Sequence, residues 1–151
     1  MITIVQRVSR AEVVVDGQVV GAIGDGLLAL AAVVKGDAER DLEWTAAKLA
    51  GLRIFRSADG GAKHFDRDVR EIGGSILLVS NFTVSASTRQ GRRPSLDRAA
   101  DPGIAQTMFA RFVELTRAQG VPVETGRFAA DMKVSLTNDG PATFILDSTS
   151  P

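Results

Sequence analysis

Polar and apolar positions along the chain divide into alternating, continuous and helical stretches. Residues Ile2 to Val8 alternate well enough for a strand. Glu12 to Val20 sets two β-branched runs around Asp16-Gly17, the strongest short hairpin signal. Gly24-Asp25-Gly26 reads as a second hairpin turn. It leads into Leu27 to Val34, a run apolar on both faces and therefore a strand buried on both sides. Asp37 stands where it would cap a helix running to about Leu52, with Leu42, Thr45/Ala46, Leu49 and Leu52 as the apolar stripe. The Gly- and Asp-rich stretch Arg56 to Gly74 predicts loop, and Ser75 to Ser80 a second buried strand. Beyond the polar stretch 84–100, Asp101 as cap and Pro102 at the first helical position predict a second helix. Its stripe is Ile104, Met108, Phe112 and Leu115, and Gly120 with Pro122 ends it. Asp131–Thr137 and Pro141–Asp147 read as two closing strands joined by a hairpin turn at Asn138-Asp139-Gly140, and the residues after Asp147 as a frayed tail. The fold class is α/β, a mixed sheet packed by two helices.

Composition narrows the chemistry more than the fold. A chain of 151 residues is the size of one domain, here 1–147, and it carries no linker or repeat. It has no cysteine, which excludes disulfides and every cysteine-based zinc, iron–sulfur or nucleophile site. The one histidine, His64, rules out a two-histidine metal site within one chain, so neither metal nor cofactor is expected. The longest apolar run, eight residues, is far below the roughly 20 that span a bilayer, and no leader pattern opens the chain. A cytoplasmic protein without a membrane partner is expected. Net charge is zero, yet the middle third of the chain nets +4 between two thirds at −2. That balance argues against a DNA- or RNA-coating protein but leaves room for a local basic patch meeting one end of an RNA.

Few side chains offer reactive chemistry. His64 lies in the loop Ala62-Lys63-His64-Phe65-Asp66, where a general base and a solvated side chain are both open. Ser80-Asn81-Phe82-Thr83 leaves the end of a buried strand, where rigid scaffolds place reactive groups. Its hydroxyls and amide could orient water or an oxyanion; a plain polar strand exit is the simpler alternative. Arg89, Arg92, Arg93 and Arg98 fit RNA phosphates or a solvated loop equally. Asn138-Asp139-Gly140-Pro141 fits an ordinary turn. A cis Gly140–Pro141 bond would instead aim neighbouring carbonyls in an unusual direction, and carbonyls facing a cavity would bind an ammonium group.

Taken in order, Ile4-Val5-Gln6-Arg7-Val8, Arg92-Arg93-Pro94-Ser95, Thr125 to Leu136 and Asn138 to Thr143 resemble the signatures of the D-aminoacyl-tRNA deacylases along nearly the whole chain. The resemblance implies a barrel-like β/β/α fold, with largely antiparallel sheet layers flanked by two helices. It implies hydrolysis of the ester joining a D-amino acid, or glycine, to the terminal adenosine of tRNA. It also implies a homodimer with active sites at the subunit interface. A cis Gly-Pro pair, here Gly140-Pro141, would reach the partner's site, where main-chain carbonyls hold the α-ammonium and an L side chain collides. Arg7 would brace that pair, and Phe128 and Met132 would join the substrate site. The family's Ser-Gln-Phe-Thr motif matches Ser80, Asn81, Phe82 and Thr83 as the catalytic segment, with main-chain donors and the RNA's own 2′-hydroxyl favoured over Thr83 as nucleophile. Arg89, Arg92 and Arg93 would meet the tRNA. Asn81 departs from the usual Gln by one methylene, a mild change if the position acts through its backbone.

Physical chemistry agrees with so sparse an inventory. An aminoacyl ester is already activated, so a held water and aimed donors suffice, each donor being worth about 10²–10³ in rate. Handedness cannot be read by apolar burial, but a stiff carbonyl clamp with steric exclusion can read it. Two alternatives are a same-fold deacylase of relaxed chirality acting on mischarged L-alanyl-tRNA, and a noncatalytic tRNA-binding module.

Overall fold

The computed structural model describes residues 1–59 and 64–149; Ala62-Lys63 of the histidine loop and residues 150–151 of the tail lie outside that range. Strand β1 (Ile2–Val15) organises the rest. On one edge it pairs antiparallel with β3 (Gly26–Ala32) through residues 2–8, then with β2 (Gln18–Ile23) through residues 11–15. On its other edge it pairs antiparallel with β6 (Lys133–Asp147), from Ile2↔Asp147 to Val14↔Lys133. β4 (Ser75–Ser80) runs parallel to β3, and β5 (Val123–Thr125), which the sequence pattern did not show, runs parallel to β4. The order is β2-β1-β3-β4-β5, with β6 on β1. The sheet curls until β2 meets β5: a Cβ added to Gly21 would overlap the Thr125 carbonyl oxygen. The result is a nearly closed barrel, as the resemblance implied.

The in–out alternation of β1 slips at Val8-Ser9-Arg10-Ala11, where two exposed residues sit between two buried ones. Before the slip, Met1 and Val5 face the helices; after it, Ala11, Val13 and Val15 face the barrel interior with Val8. Both edges adapt at this bend. Opposite it, Gly24-Asp25 interrupts the edge that continues from β2 to β3, so it is not a hairpin turn. On the other edge the partner of Gln6 is Thr143 and that of Val8 is Asn138. Residues 139–142 therefore bulge from a single continuous β6, and the expected hairpin between two closing strands is absent. A hairpin would reverse the chain, whereas here both flanks pair antiparallel with the same β1. The Asp16-Gly17 hairpin is present, with both residues at positive φ.

Helices α1 (Glu39–Gly51) and α2 (Pro102–Arg117) cover one face of the sheet. Leu42, Ala46 and Leu49 join Phe109, Phe112 and Val113 over Leu27, Ala29, Ile76 and Leu78. The opposite sides of β3 and β4, Leu28, Leu77 and Val79, fill the barrel. Both apolar runs are thus buried on two faces, as their sequences predict. Two local expectations are corrected. Ala38, not Asp37, precedes α1; Asp37 accepts from the Met1 ammonium (2.5 Å) and the Val34 N–H (2.7 Å), while Asp41 takes the free Ala38 N–H (2.9 Å). The expected stripe of α2 holds at Phe112, with Met108 and Leu115 partly buried against the core, but the buried face is completed by Phe109, Val113 and Thr116 and Ile104 is 56% exposed. Contacts of Phe109 with Phe112 and Phe128, centroids 6.3 Å apart in each case, accompany that rotation. Within the expected tail, Ser148 receives the Met1 ammonium on Oγ (2.5 Å) and donates its N–H to the Met1 carbonyl (3.0 Å).

Candidate active site

The end of β4 opens onto a cavity of about 670 Å³. The Asn81 N–H donates to the Ala31 carbonyl (2.8 Å), extending the β3–β4 pairing by one residue before the chain turns. Phe82–Ser85 then forms one 3₁₀ turn. Asn81 Oδ1 caps it, accepting from the Thr83 N–H (3.2 Å) and the Thr83 hydroxyl (2.6 Å). Ser80, Asn81 and Phe82 line the cavity with Phe128 and Met132, so five of the residues assigned from sequence meet in one place. Thr83 lies just outside the lining, exposed, with its hydroxyl proton committed to Asn81. An amide oxygen is no base, so nothing at this contact would turn Thr83 into a nucleophile. His64 is exposed and does not line the cavity. The sequence reading missed Lys35, Asp97, Asp101 and Asp131 in the lining. They come from three separate loops, and no local spacing signals their convergence.

The cap also accounts for the shorter side chain at 81. Its oxygen reaches forward two residues into its own turn, a bond that Asn and Asp make readily and a longer Gln does not.

Gly140, Pro141 and Arg7 lie elsewhere on the chain. The Gly140–Pro141 peptide is cis. Both residues are exposed and neither lines the cavity. Arg7 is buried at the bend of β1. Its Nε donates to the Asp139 carbonyl (2.7 Å) and approaches the Asp139 carboxylate (3.0 Å), and its Nη1 donates to the Ile54 carbonyl. One planar guanidinium therefore ties the bulge to the segment behind it. Asn138 Nδ2 adds bonds to the carbonyls of Arg7 (2.8 Å) and Ala142 (3.3 Å).

The basic loop is separate again. Ser87 and Ser95 exchange backbone hydrogen bonds (2.9 and 2.8 Å), closing a loop that exposes Arg89, Arg92 and Arg93. Arg89 and Arg98 border a shallow depression beside it.

Residues 4–147 match the family model described as D-Tyr-tRNA(Tyr) deacylase. The chain belongs to that family. It is 55% identical over 150 residues to a D-aminoacyl-tRNA deacylase of Geobacter sulfurreducens, covering 99% of this chain and 97% of the relative. Among solved structures, a c-Myc DNA unwinding element binding protein superposes with a TM-score of 0.91 at 34% identity, covering 100% of this chain and 99% of that one. A probable eukaryotic D-amino acid tRNA deacylase superposes with a TM-score of 0.81 at 16% identity, over 96% and 97% of the two chains, a likeness of fold. Asn81 is the one departure from the resemblance noted in the sequence, and its bonds to Thr83 are what the shorter side chain makes. Among the described residues no cluster of His, Cys, Asp and Glu has a metal-binding arrangement, and no helix is long and apolar enough to cross a membrane.

Proposed function

We propose that this protein hydrolyses the ester bond of D-aminoacyl-tRNA, releasing tRNA and the free D-amino acid. Membership of the deacylase family over residues 4–147 carries this reading. The cavity at the β4 exit agrees with it: the matching catalytic segment opens into space that also holds Phe128 and Met132. Main-chain N–H groups at the exit supply the oxyanion donors. Phe82 stands at the first position of the turn, where the turn itself provides no acceptor for its N–H. Water, aided by the terminal ribose 2′-hydroxyl, attacks the activated carbonyl. The C–O bond to the ribose breaks and the ribose oxygen takes a proton.

Chiral selection comes from Gly140-Pro141 of a second copy. The segment is exposed, firmly braced and outside the lining of its own chain's cavity, as a group lent across a subunit interface would be. Its carbonyls hold the α-ammonium, and glycine, lacking a side chain to collide, is accepted with D-amino acids. Arg89, Arg92 and Arg93 meet phosphates of the acceptor end. The working location is the cytoplasm.

Purified protein incubated with D-Tyr-tRNA, Gly-tRNA and L-Tyr-tRNA is expected to clear the first two and spare the third. Survival of D-Tyr-tRNA under conditions where an authentic deacylase clears it overturns the reading; hydrolysis of L-Ala-tRNA at a similar rate replaces chiral selection with relaxed specificity.

A further inference from the structure

We infer that Asn138 is the positioning residue that sets the shape of the β6 bulge, and that Gly140 is glycine to make room for it. The inference rests on the clamp proposed above and goes one step behind it. A bulge of four residues, 139–142, leaves the ladder between the partners of Gln6 and Val8. Backbone groups there lose their strand partners and need others. Asn138 supplies them from a single carboxamide. Nδ2 donates to the Ala142 carbonyl (3.3 Å), at the far end of the bulge, and to the Arg7 carbonyl (2.8 Å), on the neighbouring strand. The mouth of the bulge is thereby cross-tied to itself and to β1.

The other half of the carboxamide explains Gly140. Its φ is not in the left-handed region, so backbone conformation alone does not demand glycine. A Cβ built at 140, however, would overlap Asn138 Oδ1, the nearest atom by far, and stand 3.1 Å from the Ala142 nitrogen and 3.2 Å from Asn138 Cγ. Flexible side-chain ends normally swing away from such an intrusion. This one is pinned by two hydrogen bonds on its nitrogen, so any side chain at 140 displaces the tie. Arg7 in turn grips Asp139. Asn138 and Arg7 therefore hold adjacent links of one short loop, and the carbonyl directions at 139–141 depend on both.

A double-mutant cycle separates this from generic stabilisation. Asn138→Ala and Gly140→Ala should each lower kcat on D-Tyr-tRNA at least tenfold and narrow the D/L rate ratio, with KM changing less. The double variant should be no worse than either single one, because both remove the same tie. Asn138→Asp keeps the shape and loses the donor, so it should behave like Asn138→Ala. Multiplying penalties, or an Asp variant with wild-type rate and selectivity, would overturn the assignment. Hydrogen exchange of the 139–143 amides tests it without catalysis: the segment should exchange faster in Asn138→Ala while α1 and α2 are unchanged. Unaltered exchange refutes the tie even if the protein proves inactive on D-aminoacyl-tRNA, whereas activity in the wild type alongside silent variants refutes the tie and spares the deacylase reading.

Discussion

The exit of β4 and the bulge of β6 are both short polar segments assigned to one reaction, and they are held in opposite ways. Asn81 binds its own turn two residues on, and Ser85 bonds back to Phe82 within the same turn. The bulge is held by Arg7 and by Asn138, through bonds joining residues 131 and 132 positions apart. A locally held segment keeps its geometry as long as its strand ends where it does. A segment held at long range inherits its geometry from the tertiary fold. For the main-chain mechanism proposed above the difference matters: donors at the first segment would need little beyond a turn, while carbonyls of the second would need the whole β1–β6 pairing in register.

The sharpest way to break this contrast is Arg7→Ala. The buried Ile54 carbonyl and the Asp139 link lose their donor together, and an unsatisfied buried acceptor costs about 1–3 kcal/mol. Turnover of D-Tyr-tRNA should fall roughly a hundredfold, since about 2.8 kcal/mol of misplacement corresponds to that factor. A melting curve and a kcat/KM measurement check the two parts, and wild-type selectivity in this variant would remove Arg7 from the clamp. Charge reversal at Arg92 or Arg93 should weaken tRNA binding and lower the dependence of log K on log salt by about 0.7–0.9 per lost phosphate contact, read by filter binding at several salt concentrations. Unchanged affinity and slope would return the loop to solvent. Thr83→Ala leaves the backbone donors in place and should lower kcat by less than about tenfold, where removing a triad nucleophile costs on the order of 10⁶. His64→Ala should leave the rate unaltered; a collapse would bring back a side-chain base.

The same contrast explains what sequence could reveal. The buried runs of β3 and β4, the Asp16-Gly17 hairpin and both helices carry local periodic signals, and the structure has them. Ser80, Asn81, Phe82, Phe128 and Met132 meet in one cavity, a grouping that came from resemblance to a family and not from spacing. Asn138-Asp139-Gly140-Pro141 was misread as a hairpin because Asp-Gly speaks only about local chain direction. Continuation of β6 beyond it depends on β1, more than 120 residues earlier. Asp37 looked like a helix cap for the same reason; its true partner, the Met1 ammonium, is remote in sequence. Lys35, Asp97, Asp101 and Asp131 left no trace because loops converge without periodicity.

Pairing of residue 2 with residue 147 also has a consequence for synthesis. Until its last strand leaves the ribosome, the nascent chain holds β1 with one edge bare, and loop closure on that scale slows folding. Of the strands in the sheet β6 is thus the last to be made, so on the function proposed above a product released before Lys133 would carry the β4 exit without the means of judging handedness.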